Sequence, residues 1–253
     1  YMFWKQFFKD DLQALLVAVL YQFAPFRMVE LLVRGSYGEV YTYAFLPLVL
    51  YGLVILSKNR TLKGFLVTSL AVFCLIVSHN SVSLMFFGAA FLFVIFTFNN
   101  VKKGLFAFLS MFLGLGLAAF YWMPALLEHK YTFGDLFMSK LYESYFPSFQ
   151  NFFIPNFNNN PSLQTTGITT YIGLIQGIVL ICGLFVLLFK RKKLKEYARI
   201  FYFGYALVAI SFFFMSPVSK FIWSAPIGAM LRQFQFPWRF LALIVLSTSL
   251  LSV

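Results

Sequence analysis

Four short stretches of the sequence hold side chains able to do chemistry. In "FAPFRMVELLVRGSYGE", residues 23–39, Arg27, Glu30 and Arg34 stand at i, i+3 and i+7. A helix puts all three on one face and spaces Glu30 and Arg34 for an ion pair. Arg34, Gly35 and Glu39 could line a water-filled cavity at a membrane boundary, because ionisable groups at that depth mark pathways or sites. The plainer alternative is an interfacial helix whose charges pair and snorkel. In "VSHNS", His79 and Asn80 could bind a ligand hydroxyl, relay a proton or ligate a metal. Ser78 or Asn80 could equally just cap a helix end there.

The third stretch, "YWMPALLEHKYTFGD", covers residues 121–135. Glu128 or Asp135 could serve as an acid or base, against the simpler reading of solvated carboxylates. Tyr121 and Trp122 need no role beyond anchoring at a membrane interface. The fourth, "MLRQFQFPWRFL", covers residues 230–241. Pro237 suits the first turn of a helix, where its missing N–H costs nothing. Arg239 then stands beside the open N–H groups of a helix start, an arrangement that binds anions. Phe234, Phe236, Trp238 and Phe240 offer surface to lipid tails or a planar ligand. The competing reading is an aromatic belt with a snorkelling arginine.

No P-loop, GxSxG, HExxH or dinucleotide fingerprint occurs, and nothing supports a nucleotide site. His79 has no other His or Cys near it in sequence, so a divalent metal would need carboxylates from elsewhere. No cofactor is expected. Cys74 and Cys182 both lie in apolar runs, which predicts free thiols.

These groups must be positioned by helices in a lipid bilayer. Of the 253 residues, 61% are hydrophobic and only 11% charged, against about 25% charged in soluble domains. Residues 40–57, 64–101, 104–127, 144–189 and 200–219 contain no Asp, Glu, Lys or Arg. Runs such as "AFLPLVLYGLVIL" lack the alternation of a β-barrel. The fold class is therefore all-α, a polytopic transmembrane helical protein, read as a single transmembrane domain over 1–253. Its net charge of +12 belongs to loops that meet anionic headgroups, with membrane lipids as partners and no nucleic acid.

Eight spans are expected, at 12–29, 40–57, 64–78, 82–98, 105–123, 171–189, 200–216 and 237–253. The 38 residues between Lys63 and Lys102 would make one helix of about 57 Å, far longer than a bilayer core of about 30 Å. The polar break "SHNS" at 78–81 instead predicts a short helical hairpin over 64–98. Charge agrees. With the hairpin, one face receives Lys5, Lys9, Lys58, Arg60, Lys63, Lys102, Lys103, Lys190, Arg191, Lys192, Lys193, Lys195 and Arg199, thirteen of the 20 cations. The positive-inside rule makes that face cytoplasmic. Both histidines and five of the eight acids then lie outside, as does the long segment 124–170, expected to carry an interfacial helix followed by an irregular loop. No 20–50-residue repeat is visible, and the sequon at Asn59 falls inside.

The motifs "YQFAPFRMVELLVRGSYGE", "SHN", "AFYWMPALLE" and "RQFQFPWRFL" occur in an order and spacing similar to one family. They resemble bacterial multi-pass proteins called 6-pyruvoyl-tetrahydropterin synthase-related membrane proteins, themselves similar to GT-C glycosyltransferases. The resemblance covers nearly the whole chain and implies a GT-C-like helical fold with outer loops gathered over a cavity. It implies transfer of a sugar from a polyprenyl-phosphate donor at the outer face of the bacterial inner membrane, in cell-envelope glycan synthesis. The candidate binding residues are Arg34, Glu39, His79, Asn80, Arg232, Gln235, Trp238 and Arg239. GT-C enzymes hold their key acid in a first outer loop. Both ends of the chain look cut, so that loop is expected before Tyr1 and no catalytic carboxylate is carried over. The alternative is a non-enzymatic transporter of lipid-linked glycans, or an envelope-assembly scaffold.

Overall fold

The computed structural model describes residues 1–8, 10–128, 131, 140–155, 168–194 and 197–252. Among them every regular element is helical. The principal helices are α1 Asp11–Gln22, α2 Pro25–Leu32, α3 Tyr37–Lys58, α4 Leu62–Ser78, α5 Asn80–Thr97, α6 Val101–Leu117 and α7 Ala119–Leu127. They are followed by α8 Leu174–Phe189, α9 Ala198–Met215 and α10 Leu241–Leu251. Each of the eight expected spans falls on one of these helices or on a bent pair of helical pieces. By length and apolarity α3, α5 and α9 can cross a membrane singly, and up to six spans result when each of three bent pairs counts as one. Helices α4 and α8 are apolar but shorter.

Capping side chains set the turns. Thr61 Oγ1 accepts the Gly64 N–H at 3.1 Å and starts α4. Asn100 Oδ1 accepts the Lys103 N–H at 3.2 Å and starts α6. Each satisfies one of the donors that a helix start leaves open. The break at 78–81 is the expected hairpin turn: α4 ends at Ser78, α5 begins at Asn80, and His79 alone joins them with extended backbone.

Packing resolves the described chain into two compact units. One comprises residues 1–19 and 36–127, the other residues 20–35 and 128–252. In the first, α3 lies tightly on α4 because Gly52 has no side chain; a Cβ there would come within 2.9 Å of the Thr68 nitrogen. Ser69 Oγ of α4 donates to Ser110 O of α6 at 2.9 Å. Tyr43 of α3 meets Phe86 of α5 edge-on at 5.4 Å. Lys103 Nζ donates to the carbonyls of Ser57 (2.9 Å) and Lys58, at the C-terminal end of α3. Cations are favoured there by the helix dipole. Helix α7 turns 68° from α6, and Trp122 Nε1 donates to Leu115 O across that bend at 3.0 Å. The tryptophan expected only as an interfacial anchor thus also holds a corner.

In the second unit α10 is buried along its whole length. Its hydroxyls make no demand on neighbours: Ser247, Thr248 and Ser249 donate to Leu243 O, Val245 O and Leu246 O at 2.7, 3.1 and 2.7 Å. Helix α8 is the opposite case, with only Gln176 and Gly183 buried. Leu174, Ile181 and Leu188 are exposed, as suits lipid-facing positions. Tyr205 of α9 donates to Leu180 O of α8 at 2.7 Å. Between α9 and α10 the chain makes short turns at Pro217–Ser219, Lys220–Ser224, Pro226–Gly228 and Ala229–Arg232. It then bends 71° into Pro237–Phe240 and α10, so the last span starts at Pro237 as expected. Of segment 124–170, residues 129–130, 132–139 and 156–167 lie outside the described residues. They include His129, Lys130, Asp135, part of the stretch expected to form an interfacial helix and most of the Asn/Pro-rich loop. The described part holds two 3-10 turns, Leu141–Ser144 and Phe149–Phe152.

Candidate functional site

The second unit builds a ladder of alternating charge and aromatic ring. Helix α2 begins at Pro25, whose fixed φ suits a first turn, and carries Glu30 in its last turn; Arg34 follows just beyond the helix end at Leu32. Arg34 Nη1 donates to Glu30 Oε2, the i,i+4 pair expected from the sequence. Glu30 has no exposed side-chain surface and Arg34 keeps 14%, so this pair is largely removed from solvent. The Arg34 guanidinium also sits 4.8 Å from the centre of the Trp238 ring. Trp238 stacks on Phe236 at 4.9 Å and 11°. The guanidinium of Arg239 completes the series, 5.1 Å from the Phe236 ring. Cations are drawn to aromatic faces by the ring quadrupole, more strongly when desolvated.

Local backbone makes the ladder possible. Gln235 takes φ +62°, a left-handed conformation uncommon outside glycine. Arg239 Nη1 donates to Phe234 O at 2.8 Å and to Gln235 Oε1 at 3.2 Å. The arginine thus fastens the same turn that presents it. Two further rings brace the stack edge-on, Phe26 against Trp238 at 6.0 Å and Tyr145 against Phe236 at 4.9 Å. Arg27 is buried and donates to Gln22 O at 2.6 Å.

Arg232 does a different job. Its Nη1 donates to Trp223 O at 2.5 Å and Ala225 O at 3.1 Å, tying the Ala229–Arg232 turn back to the end of the Lys220–Ser224 turn. Nearby, Tyr142 stacks on Trp223 at 5.3 Å. Burial pushes the Tyr142 phenol above its usual range; Glu143 adds to this and Arg232 opposes it.

The first unit holds the remaining pair. Glu39 lies in the first turn of α3, where a carboxylate is favoured by the helix dipole, and is buried. His79 Nε2 is 3.8 Å from Glu39 Oε1. His79 Nδ1 accepts the Val82 N–H at 3.2 Å. The capping group of α5 is therefore His79, not Ser78 or Asn80; Ser78 Oγ donates back to Cys74 O at 2.6 Å. Gly38 sets the approach of the two elements, since a Cβ there would stand 2.7 Å from Ser78 O. Asn80 is exposed at the first position of α5, and its carbonyl accepts from Ser83 Oγ at 3.0 Å.

Of the sequence candidates, Arg34, Gln235, Trp238 and Arg239 come together in one unit, and Glu39 and His79 in the other. Arg232 and Asn80 join neither set directly. The sequence reading passed over Phe26, Tyr145 and the central place of Phe236. Only the aromatic density of "QFQFPWRF" signalled the last of these. Cys74 and Cys182 are free thiols. Glu128 is exposed. Among the described residues no three His, Cys, Asp or Glu side chains gather as a metal site would require.

Long apolar helices broken at polar turns, with the buried charges among the described residues all in first or last helical turns, define an integral membrane protein. The family model for the 6-pyruvoyl-tetrahydropterin synthase related domain, a membrane protein family, matches residues 1–252. The chain belongs to that family. Neither the curated proteins nor the solved structures gave a match.

Proposed function

We propose that this membrane protein is a GT-C-like glycosyltransferase that takes a sugar from a polyprenyl-phosphate donor. The reaction belongs to the outer face of a bacterial inner membrane, in cell-envelope glycan synthesis, with segment 124–170 on that outer side. The observation that carries the reading is the ladder Arg34–Trp238–Phe236–Arg239, two guanidiniums held against stacked rings. Arginine suits a phosphate because its fork of donors matches two oxygens at once. An arginine already fixed by ring faces and a carbonyl loses little freedom on gripping a ligand. Arg239 holds the donor phosphate, with Arg34 as the second contact and Trp238 as apolar surface for the prenyl chain. Gln235 orients Arg239, Arg232 secures the preceding turn, and Glu39, His79 and Asn80 serve the acceptor. No cofactor is assigned.

The test is sugar transfer from polyprenyl-phosphate donors by the full-length protein in liposomes. Arg239→Ala and Arg34→Ala should each cut transfer by about 100-fold, a loss typical of removing an electrostatic contact to a transferring group. Variants that fold and keep full transfer would overturn the reading. A wild-type protein that binds the donor, flips it across the bilayer and transfers nothing would favour a lipid-linked-glycan transporter instead.

A further inference from the structure

Residues 190–199, "KRKKLKEYAR", hold six cations and one acid, and Glu196 is the only acid in residues 144–253. Among the described residues no carboxylate pairs with Lys190, Arg191, Lys192 or Arg199. Cations elsewhere are engaged by the protein: Lys5 by Asp11, Lys58 by Gln6, and Lys103 by two carbonyls at the end of α3. The four at the α8–α9 junction are exposed. Like charges crowded together repel one another, and an anion relieves that repulsion.

The junction is held in place by packing. A single helical turn, Arg191–Leu194, follows α8. Leu194 is buried against Phe201 of α9 and Leu251 of α10, with Val186 and Leu187 of α8 packed on the same cluster. The Arg191 guanidinium lies 5.6 Å from the centre of the Tyr202 ring, and Tyr202 stands one turn along α9 from Arg199. A guanidinium resting on a ring keeps its fork of donors at the edge, where a phosphate can take two of them. The first turn of α9 contains no acid, and its open N–H end adds positive potential beside Arg199.

Depth supplies the apolar half. Helix α8 has 16 residues, about 24 Å of helix, short of a bilayer core of about 30 Å. Such a helix thins the bilayer or draws its flanking cations to headgroup level, which sets Lys190, Arg191 and Lys192 among phosphates. Just before them Phe185 and Phe189 pair at 4.9 Å and, with Leu188, stay exposed. A molecule with an anionic head and an apolar tail matches both surfaces at once.

We propose that the α8–α9 junction binds one anionic phospholipid. Its phosphate is gripped by Arg191 beside Arg199, in the field of Lys190 and Lys192, and its acyl chain lies along Phe185 and Phe189. The site is separate from the arginine ladder. Helix α9 runs 18 residues, about 27 Å, and near its far end Phe214 stacks on Phe240 beside Arg239. The inference stands whether or not the protein transfers sugar.

The probe is phosphatidylglycerol with a diazirine on its acyl chain, in phosphatidylcholine liposomes holding the full-length protein. Label should fall on residues 185–189 and be displaced by unlabelled phosphatidylglycerol, not by phosphatidylcholine or inorganic phosphate. Each near-surface cation is worth about fivefold in affinity. Lys190→Gln, Arg191→Gln and Lys192→Gln together should therefore weaken binding by about 100-fold. Those charges also orient the chain. If the triple variant fails to insert, Arg191→Lys decides: it keeps the charge, loses the ring-stacked fork and should weaken binding about fivefold. Arg239→Ala should leave the labelling unchanged.

Equal labelling by phosphatidylglycerol and phosphatidylcholine probes overturns the proposal, as does a triple or Arg191→Lys variant that inserts and binds like wild type. Displacement by inorganic phosphate as readily as by phosphatidylglycerol makes the ligand a free phosphate and overturns it too. Labelling that falls with Arg239→Ala puts the lipid at the ladder, with the same consequence.

Discussion

The arginine ladder and the Glu39–His79 pair use similar charged groups in opposite ways. In the ladder, the side chains are occupied by the scaffold: Arg34 by a buried carboxylate and an indole, Arg239 by a carbonyl, an amide and a ring. In the pair, one nitrogen of His79 is spent on a helix cap while its other nitrogen faces a carboxylate across 3.8 Å. The first arrangement makes charge part of the architecture. The second holds a buried carboxylate and a half-buried imidazole in register without direct hydrogen-bond contact between them. Substitutions should therefore cost stability together with transfer in the ladder, and transfer with little stability in the pair.

The largest effect should come from Trp238→Ala. It removes a buried ring that carries both the stack and the Arg34 contact, and should cost about 3–5 kcal/mol in detergent unfolding of the full chain. Trp238→Phe should recover most of that. A loss below about 1 kcal/mol in the alanine variant would break the contrast.

Glu30→Ala comes next. It strands the Arg34 guanidinium beside a largely buried site, and removing one member of such a pair costs about 3 kcal/mol or more. The double variant Glu30→Ala with Arg34→Met should be more stable than Glu30→Ala alone, measured by the same unfolding midpoint.

Gly38→Ala tests the other side. Its new methyl would meet Ser78 O at 2.7 Å, and overpacking of this kind costs about 1–3 kcal/mol. Function should fall further than stability, because the shift moves Glu39 relative to His79. Equal losses in both measurements would mean that the Glu39–His79 spacing has no special role in function.

The smallest effect is the cap itself. His79→Ala should lose about 1 kcal/mol of stability, whereas His79→Asn should lose almost none. Both should impair acceptor use alike. If His79→Asn behaved as wild type in acceptor use, His79 would be a cap and nothing more.

Local features were the legible ones. The hairpin at His79 followed from one length mismatch and a polar break, and the Glu30–Arg34 pair from a spacing of four on a helix. Pro237 announced the last helix. The ladder was not legible, because Arg34 and Trp238 stand about two hundred positions apart and only tertiary packing joins them. The stacking of Trp238 on Phe236 depended on Gln235 turning left-handed, for which the sequence carries no glycine signal. Arg232 and Arg239 were both read as binding candidates, yet one locks a turn and the other faces a ring. The choice of His79 over its neighbours as the cap also escaped, since serine and asparagine are the commoner caps. The family that the motifs resembled is the one to which the chain belongs.

Helix α10 carries a further consequence. With every face enclosed and each of its hydroxyls turned back on its own backbone, it has no polar side by which its azimuth could be set. Only the volumes of its neighbours fix that angle, as Gly204 shows by leaving Leu251 a place at 3.2 Å from where a Cβ would be. Isosteric exchanges should then be tolerated evenly around its circumference, while a single added methylene on any side could turn the whole helix. Because Pro237, Trp238 and Arg239 lead directly into it, such a rotation would be felt at the arginine ladder before anywhere else.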